Sequence, residues 1–548
     1  MNEQSIQKQY NQIVSLLEDK RLKEALVQLD AFLYNGNDWS LRNRLEQIQT
    51  SYQYMLQYMK LGMKDPERQK LYRQLLADTW EIADQTRIAL LDEISTHYYH
   101  SLRRNPNQLP KAYDLSGQQK ILEGFADEMA VSQLANYQGL DAILRRHEET
   151  HQVMFLTTWS NSSWTLEEFA QAEDMLRSET LPTNDLCLFV SAVTLSLMEC
   201  FDERKVNWLL DGLRHTNPQI NQRALVGLVI TLHLYPSRIA LYPELEARIS
   251  LFREDPNFSK QVNRIYIQLL RSQETEKIDR KMREEIIPEM MKNPKLNLEG
   301  LDEDAEDHNP EWEEWIDRSG ITDKLRELGE LQMSGADVYM STFSQLKQFP
   351  FFRKISHWFY PFDPQYQDIA KLSLGNDEQK ISLLNILMNS DVFCNSDKYS
   401  FCFTMLQMPE SQRNLMQQQL NGQHEASEEL KERLKEMSQS KARAEFVSRQ
   451  YIHDLYRFFK LWSRRHEIHD IFEDTLDLWN KEALSQALLH KEYINKLADY
   501  LFTHDDLAEA GILYDKSIEL YNRKNAELWQ KAGFIYQKIG SYKKAIDY

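Results

Sequence analysis

Residues that interrupt a helix are scarce in this chain: glycine and proline occupy 16 and 15 of its 548 positions, roughly half or less of their usual ~7% and ~5% shares. Few positions therefore demand a positive φ angle or remove a ladder hydrogen bond. The sequence predicts long helices joined by short loops. Hydrophobic residues make up 42% and charged residues 27%, a balance that buries a substantial core and keeps the surface in water. A chain of this length forms either several ordinary domains or one elongated array that grows by adding helix pairs.

The net charge is −19, which repels nucleic-acid phosphates and anionic membrane surfaces in the absence of a concentrated basic patch. Neither class of partner is expected. The four cysteines, Cys187, Cys200, Cys394 and Cys402, form no C-x-x-C pair; so sparse a set reads as free thiols in a reducing compartment. The start, Met1 to Lys8, has no basic stretch followed by an apolar one, so no secretory signal is read there and the cytoplasm is the expected location. The most apolar stretch, Leu186 to Met198, is shorter than the ~20 residues that span a bilayer. A buried helix is expected instead.

Helical periodicity divides the chain into six stretches. Residues 1–115 give amphipathic hairpins, the first with Ile13 and Leu16 facing Leu22, Ala25, Leu29 and Phe32; the small Ala25 lets two helices approach closely. Residues 116–296 are more apolar. Asn217-Pro218 opens a helix there, followed by Ile220, Ala224, Leu225, Leu228, Val229 and Leu232, an apolar face wide enough to need neighbours on more than one side. The opening resembles the second helix of a HEAT-type repeat. Residues 297–320 carry the acidic run Asp302 to Asp307 and read as a solvated linker. Residues 321–416 form a helical module with an aromatic-rich segment, and residues 417–445 a charged helical connector.

The last stretch, residues 446–548, repeats. Its final unit places Trp529, Ala532, Gly533, Tyr536, Gly540, Tyr542 and Ala545 in register with Ile494, Leu497, Ala498, Leu501, Leu507, Ala510, Tyr514 and Ser517 of the unit before. Small side chains let paired helices close up, and aromatic ones fill the gap to the next hairpin. A more degenerate unit precedes these, with Ile452, Leu455, Tyr456, Phe459, Ile468 and Phe472. The pattern resembles the tetratricopeptide repeat of about 34 residues, most clearly over residues 491–548. Tyr548 falls inside the second helix of its unit, so the natural chain is expected to continue beyond it. The resemblance implies an interaction scaffold with a concave groove, lined here by Asn495, Asp499, Phe502, Gln530, Phe534 and Gln537. A carboxylate-clamp ligand, an acidic peptide tail, is disfavoured because Asp499 would repel it.

Four segments could carry other chemistry. His147-Glu148-Glu149-Thr150-His151 is an H-E-x-x-H, whose imidazoles share a helix face and could bind zinc with Glu148 as general base. Glu167, Glu168 or Glu173 would supply the third ligand. Arg145, Arg146 and Glu149 make a charged setting unlike that of zinc peptidases, and both histidines continue an apolar stripe, so packing is the preferred reading. The segment with Phe351, Phe352, Trp358 and Phe359 is either a partner-binding aromatic patch or, preferably, an internal plug. Asp302, Asp304, Glu306 and Glu313 lack the glycine a calcium loop needs, and His466, His469 and Asp470 read as a polar surface. No phosphate-binding loop, dinucleotide fingerprint or nucleophile elbow is present.

The sequence therefore predicts an all-α, superhelical solenoid of antiparallel helix hairpins, tetratricopeptide-like at its ends and HEAT-like in the middle. It would bind a protein or peptide, without catalysis and without a cofactor. A zinc peptidase using His147, Glu148 and His151 is one alternative. The other is a regulatory arm of a larger protein.

Overall fold

The structure, a computed structural model, describes residues 2–105, 114–135, 139–281, 283–284, 337, 340–369, 393–409, 411–412, 440–521 and 525–548. The acidic stretch 297–320, including Asp302, Asp304, Glu306 and Glu313, lies outside the described residues, as does most of the connector 417–445. Among the described residues regular structure is helical throughout and no strand occurs. The all-α class is thus established. No helix among them is long and apolar enough to cross a membrane.

In chain order the helices begin with α1 (Glu3–Glu18), α2 (Leu22–Leu33), α3 (Trp39–Lys60), α4 (Arg68–Ile94), α5 (Tyr98–Arg104), α6 (Leu115–Glu123) and α7 (Phe125–Leu134). They continue with α8 (Leu140–Ser160), α9 (Leu166–Arg177), α10 (Thr183–Glu199), α11 (Glu203–Gly212), α12 (Pro218–Leu234), α13 (Pro243–Arg253), α14 (Pro256–Gln273) and α15 (Thr275–Lys281). The last are α16 (Met340–Ser344), α17 (Asn395–Gln407), α18 (Ser440–Leu461), α19 (Glu482–Leu488), α20 (Ile494–Thr503), α21 (Leu507–Leu520), α22 (Ala526–Lys538) and α23 (Tyr542–Asp547). Two compact units emerge: Met1–Asn263 with His466–His469 and Asp477–Tyr548, and Arg264–Arg465 with Asp470–Leu476. The division expected near residue 115 therefore falls inside the first unit, where α5 packs on α8.

In the first unit α1 and α2 close on each other through Ile6, Ile13, Leu17, Leu22, Ala25, Leu29 and Phe32, all buried, and both rest on α4. The middle helices form two rows: α8 against α10 and α10 against α12 on one side, α9 against α11 and α11 against α13 on the other. Helix α10 is enclosed from Asp185 to Leu197, as its all-round apolar sequence requires. Helix α12 starts where Asn217-Pro218 places it, with the Asn217 side chain accepting from the Gln219 N–H and proline in the first turn, where its missing donor has no partner to lose. α10 and α12 meet at Gly227, where an added Cβ would fall 2.3 Å from Thr194 Oγ1. The Thr194 hydroxyl is itself bonded to the Val190 carbonyl. Gly227→Ala is accordingly expected to lower stability by about 1–3 kcal/mol through overpacking, read as a drop in melting temperature of the full chain.

Four connections in this unit share one stop signal. Lys20, Gly62, Asp505 and Gly540 have φ of 58°, 75°, 63° and 81°. Each donates its N–H to the carbonyl three residues back, and the following residue donates to the carbonyl five back: Arg21 to Leu16, Met63 to Tyr58, Asp506 to Leu501, Ser541 to Tyr536. This paired closure satisfies carbonyls that a helix end leaves open. It recurs after α1, α3, α20 and α22, at both ends of the sequence.

The second unit is built around α18 and α17. Pro350, Pro361 and Pro364 interrupt any α-ladder, so the chain from Gln345 to Trp358 runs in short 3-10 turns. Phe351, Phe352, Trp358 and Phe359 are buried, ringed by Tyr366, Tyr399 and Phe458 at centroid distances of 4.7–6.0 Å. They form this unit's core, and the exposed aromatic patch is not realised. Arg457 of α18 lies between Asp337 and Asp397, and Lys347 reaches Asp397 at 2.9 Å. The degenerate repeat expected around Ile452 to Phe472 does not make a helix pair. After α18 the chain makes short 3-10 turns at Arg465–Glu467 and Ile471–Glu473, because Asp470 turns its carboxylate onto the Phe472 N–H and onto Lys460 at 2.9 Å. A side chain that bonds its own local backbone competes with helix formation.

Candidate functional site

Helices α20 and α22 present the six residues expected to line a groove. Asn495, Asp499 and Phe502 lie one turn apart along α20, as Gln530, Phe534 and Gln537 do along α22. The structure separates them by role. Asn495 accepts from Ser517 Oγ of α21 at 2.5 Å. Asp499 accepts from Tyr514 Oη of α21 at 2.5 Å and from Lys531 Nζ of α22 at 2.7 Å. These two side chains fasten neighbouring helices together. The expected repulsion of an acidic ligand by Asp499 is accordingly muted, since Lys531 neutralises it and also meets Glu527 at 3.0 Å.

The remaining four residues stay accessible. Phe502 and Phe534 meet edge to face with centroids 6.0 Å apart, and Phe534 keeps 45% of its surface in water. The Lys538 ammonium sits 5.4 Å above the Phe534 ring, a cation–π contact that holds the ring in place. Gln530 and Gln537 flank it, both exposed. Lys531 and Lys538 belong to this face and were not anticipated, whereas Tyr514 is buried. The hydrogen bond to Asp499 raises the Lys531 ammonium above its ordinary range, so it stays charged at neutral pH. What the arrangement offers is rigid apolar area beside amide donors and two cations, with no nucleophile or general base positioned among them.

The H-E-x-x-H segment lies on α8. His147 Nε2 approaches Asp185 Oδ2 at 2.7 Å, and His151 Nδ1 lies 3.9 Å from Oδ1 of the same carboxylate. The two imidazoles stack parallel, 5.3 Å apart and tilted by 7°, and Phe125 stacks on His147 at 3.8 Å. Parallel rings in a face-to-face stack do not converge their nitrogens on one point. Asp185 is the acidic partner that the sequence reading missed. The third ligand expected from α9 is not delivered: Glu168 closes a capping box with Thr165, Glu173 pairs with Arg177 at 3.1 Å, and Glu167 is exposed. Among the described residues no group of three or more His, Cys, Asp or Glu side chains is disposed to hold a metal ion.

The four thiols are buried and unbridged. Burial pushes Cys187 up to about 11 and Cys200 and Cys402 up to about 12, far from the thiolate range that nucleophilic chemistry needs. Asp470 of the polar cluster near His466 is occupied by Lys460 and by its own turn. Compared with known proteins, the chain matches no protein family, no curated protein and no solved structure.

Proposed function

We propose that this chain is a protein–protein interaction scaffold, built as a solenoid of tetratricopeptide-like hairpins with a HEAT-like middle, that binds a peptide or protein surface along the Phe502–Phe534 face. The observation that carries the reading is the pair of accessible phenylalanines on successive first helices, held edge to face and flanked by Gln530, Gln537 and Lys538. Large rigid rings lose little freedom on docking and are typical anchors of interfaces. Further support comes from the shared helix-stop geometry after α1, α3, α20 and α22 and from the two rows of helices between α8 and α13, both natural in an array of stacked hairpins. A reducing, cytoplasmic setting suits the four buried free thiols.

The test is affinity capture with the intact chain against a Phe502→Ala, Phe534→Ala variant. Losing two anchors is expected to weaken a partner by about tenfold or more, while both proteins show the same melting temperature. Equal recovery of every captured protein by the two baits would count against this face.

A further inference from the structure

A groove lies toward the other end of the sequence, between α3 and α4. Tyr52, Met55, Leu56 and Met59 of α3 face Arg68, Gln69, Tyr72 and Arg73 of α4 across a groove of about 540 Å³. The α3 residues fall at i, i+3, i+4 and i+7, one continuous helix face. This end of the hairpin is also apolar outside the groove: Tyr58, Leu61 and Met63 are each more than half exposed. One wall is fixed in advance, because Tyr72 Oη donates to the Lys20 carbonyl at 2.6 Å, in the α1–α2 turn.

The charge of the rim identifies the occupant. Apart from the tyrosines, the ionisable side chains lining the groove are Arg68 and Arg73. Neither guanidinium makes a side-chain hydrogen bond or ion pair among the described residues. Between positions 60 and 73 stand Lys60, Lys64, Arg68, Lys70 and Arg73 against Asp65 and Glu67. Glu67 lies 3.8 Å from Lys70, and Asp65 accepts from the Glu67 backbone, so the arginines keep their charge free for a ligand. In a chain of net charge −19 this is a local reversal of sign.

We propose that the α3–α4 groove docks an acidic amphipathic helix of a partner protein. Its apolar stripe would lie on Met55, Leu56 and Met59, and its carboxylates would meet Arg68 and Arg73. Thioether side chains adapt to varied apolar faces, and a helix laid in an apolar groove is a recurrent recognition mode. A concave site flanked by two arginines favours a helix over a flat lipid surface, which the acidic remainder of the chain would repel.

The probe is a fluorescently labelled helical peptide with leucine at i, i+3, i+4 and i+7 and glutamate on its flanks, titrated by anisotropy against the full chain. A lysine-flanked twin serves as control. Saturable binding of the glutamate peptide is expected, weakening as salt rises. It should fall at least about tenfold in Arg68→Glu, Arg73→Glu, which should instead gain affinity for the lysine twin. Met59→Asp, at an exposed position, should abolish both. The Phe502→Ala, Phe534→Ala variant should bind the glutamate peptide unchanged, so that the two surfaces stand or fall separately. Absence of saturable binding, equal affinity for the twins, or indifference to charge reversal overturns the proposal. So does Met59-dependent binding of phosphatidylserine vesicles, which assigns the surface to membranes, or Met59-dependent self-association in sedimentation, which assigns it to a second copy of the chain.

Discussion

Arg457→Met is expected to destabilise the second unit by about 3–5 kcal/mol at neutral pH. The guanidinium is buried, donates through Nε to Asp397 at 2.8 Å and through Nη2 to Asp337 at 3.0 Å, and pairs with Asp337 through Nη1 as well. Two carboxylates and two cations, Arg457 and Lys347, therefore balance inside an aromatic core. Methionine fills much of the volume but leaves one negative charge in excess, and an uncompensated buried charge is the costly outcome. Burial alone would push the Asp397 carboxyl up; Arg457 and Lys347 outweigh it and hold it at about 2, against an ordinary 3.8. The same competition leaves Asp337 below its ordinary range. In the native protein this contribution is complete above pH 3.8 and is lost as pH falls through about 2. In the variant the sign reverses for Asp337, which enters the core more readily protonated, so the deficit should shrink as the solution is acidified. Denaturant titration followed by tryptophan fluorescence, to which the buried Trp358 contributes, reads both effects. A deficit below about 1 kcal/mol, or one independent of pH, would show the network to be far less constrained than its distances imply.

Glu199→Gln should do the opposite and stabilise the first unit above neutral pH, by about 2–3 kcal/mol. Burial raises this carboxyl from 4.5 to about 7 despite the nearby Arg87 and His469, and Arg87 Nη2 is committed to the Glu199 backbone carbonyl at 2.6 Å. A raised folded value means that the native state holds the proton more tightly than the unfolded chain. The contribution of Glu199 to native stability is thus greatest below pH 4.5, declines as pH rises toward 7, and stays low above it. Glutamine mimics the protonated acid and removes the decline. Melting curves of native and variant protein should coincide near pH 4.5 and separate by pH 8; parallel curves across that range would refute the assignment.

Local features of this fold were legible in the sequence and long-range ones were not. The start of α12 could be read from Asn217-Pro218, and the enclosure of α10 from its apolar run, because both depend on neighbours within a turn or two. The α20–α21 pair could likewise be read from its spacing of small and aromatic residues. The 3-10 turns after α18 defeated the same method: Ile468 and Phe472 keep a helical interval, yet Asp470 diverts the backbone between them. At the sites, periodicity put His147 and His151 on one face but could not reveal Asp185, which comes from another helix. The partners of Asp499 were hidden too, since its pairing with Lys531 depends on how α20 and α22 are offset. The arginine-flanked groove between α3 and α4 was hidden by an overall acidic balance that says nothing about local sign.

The double hold on Asp499, by Tyr514 and Lys531, has a mechanical implication. Because one carboxylate holds Tyr514 and Lys531 together, the spacing between the rings of Phe502 and Phe534 is set by an ionic tether as well as by apolar contact. Under the binding role proposed above, a ligand spanning both rings would gauge the offset of α20 and α22, tightening when the tether is intact and slackening when it is cut. The offset of these two helices and the occupancy of their shared face would then be two readouts of a single coordinate.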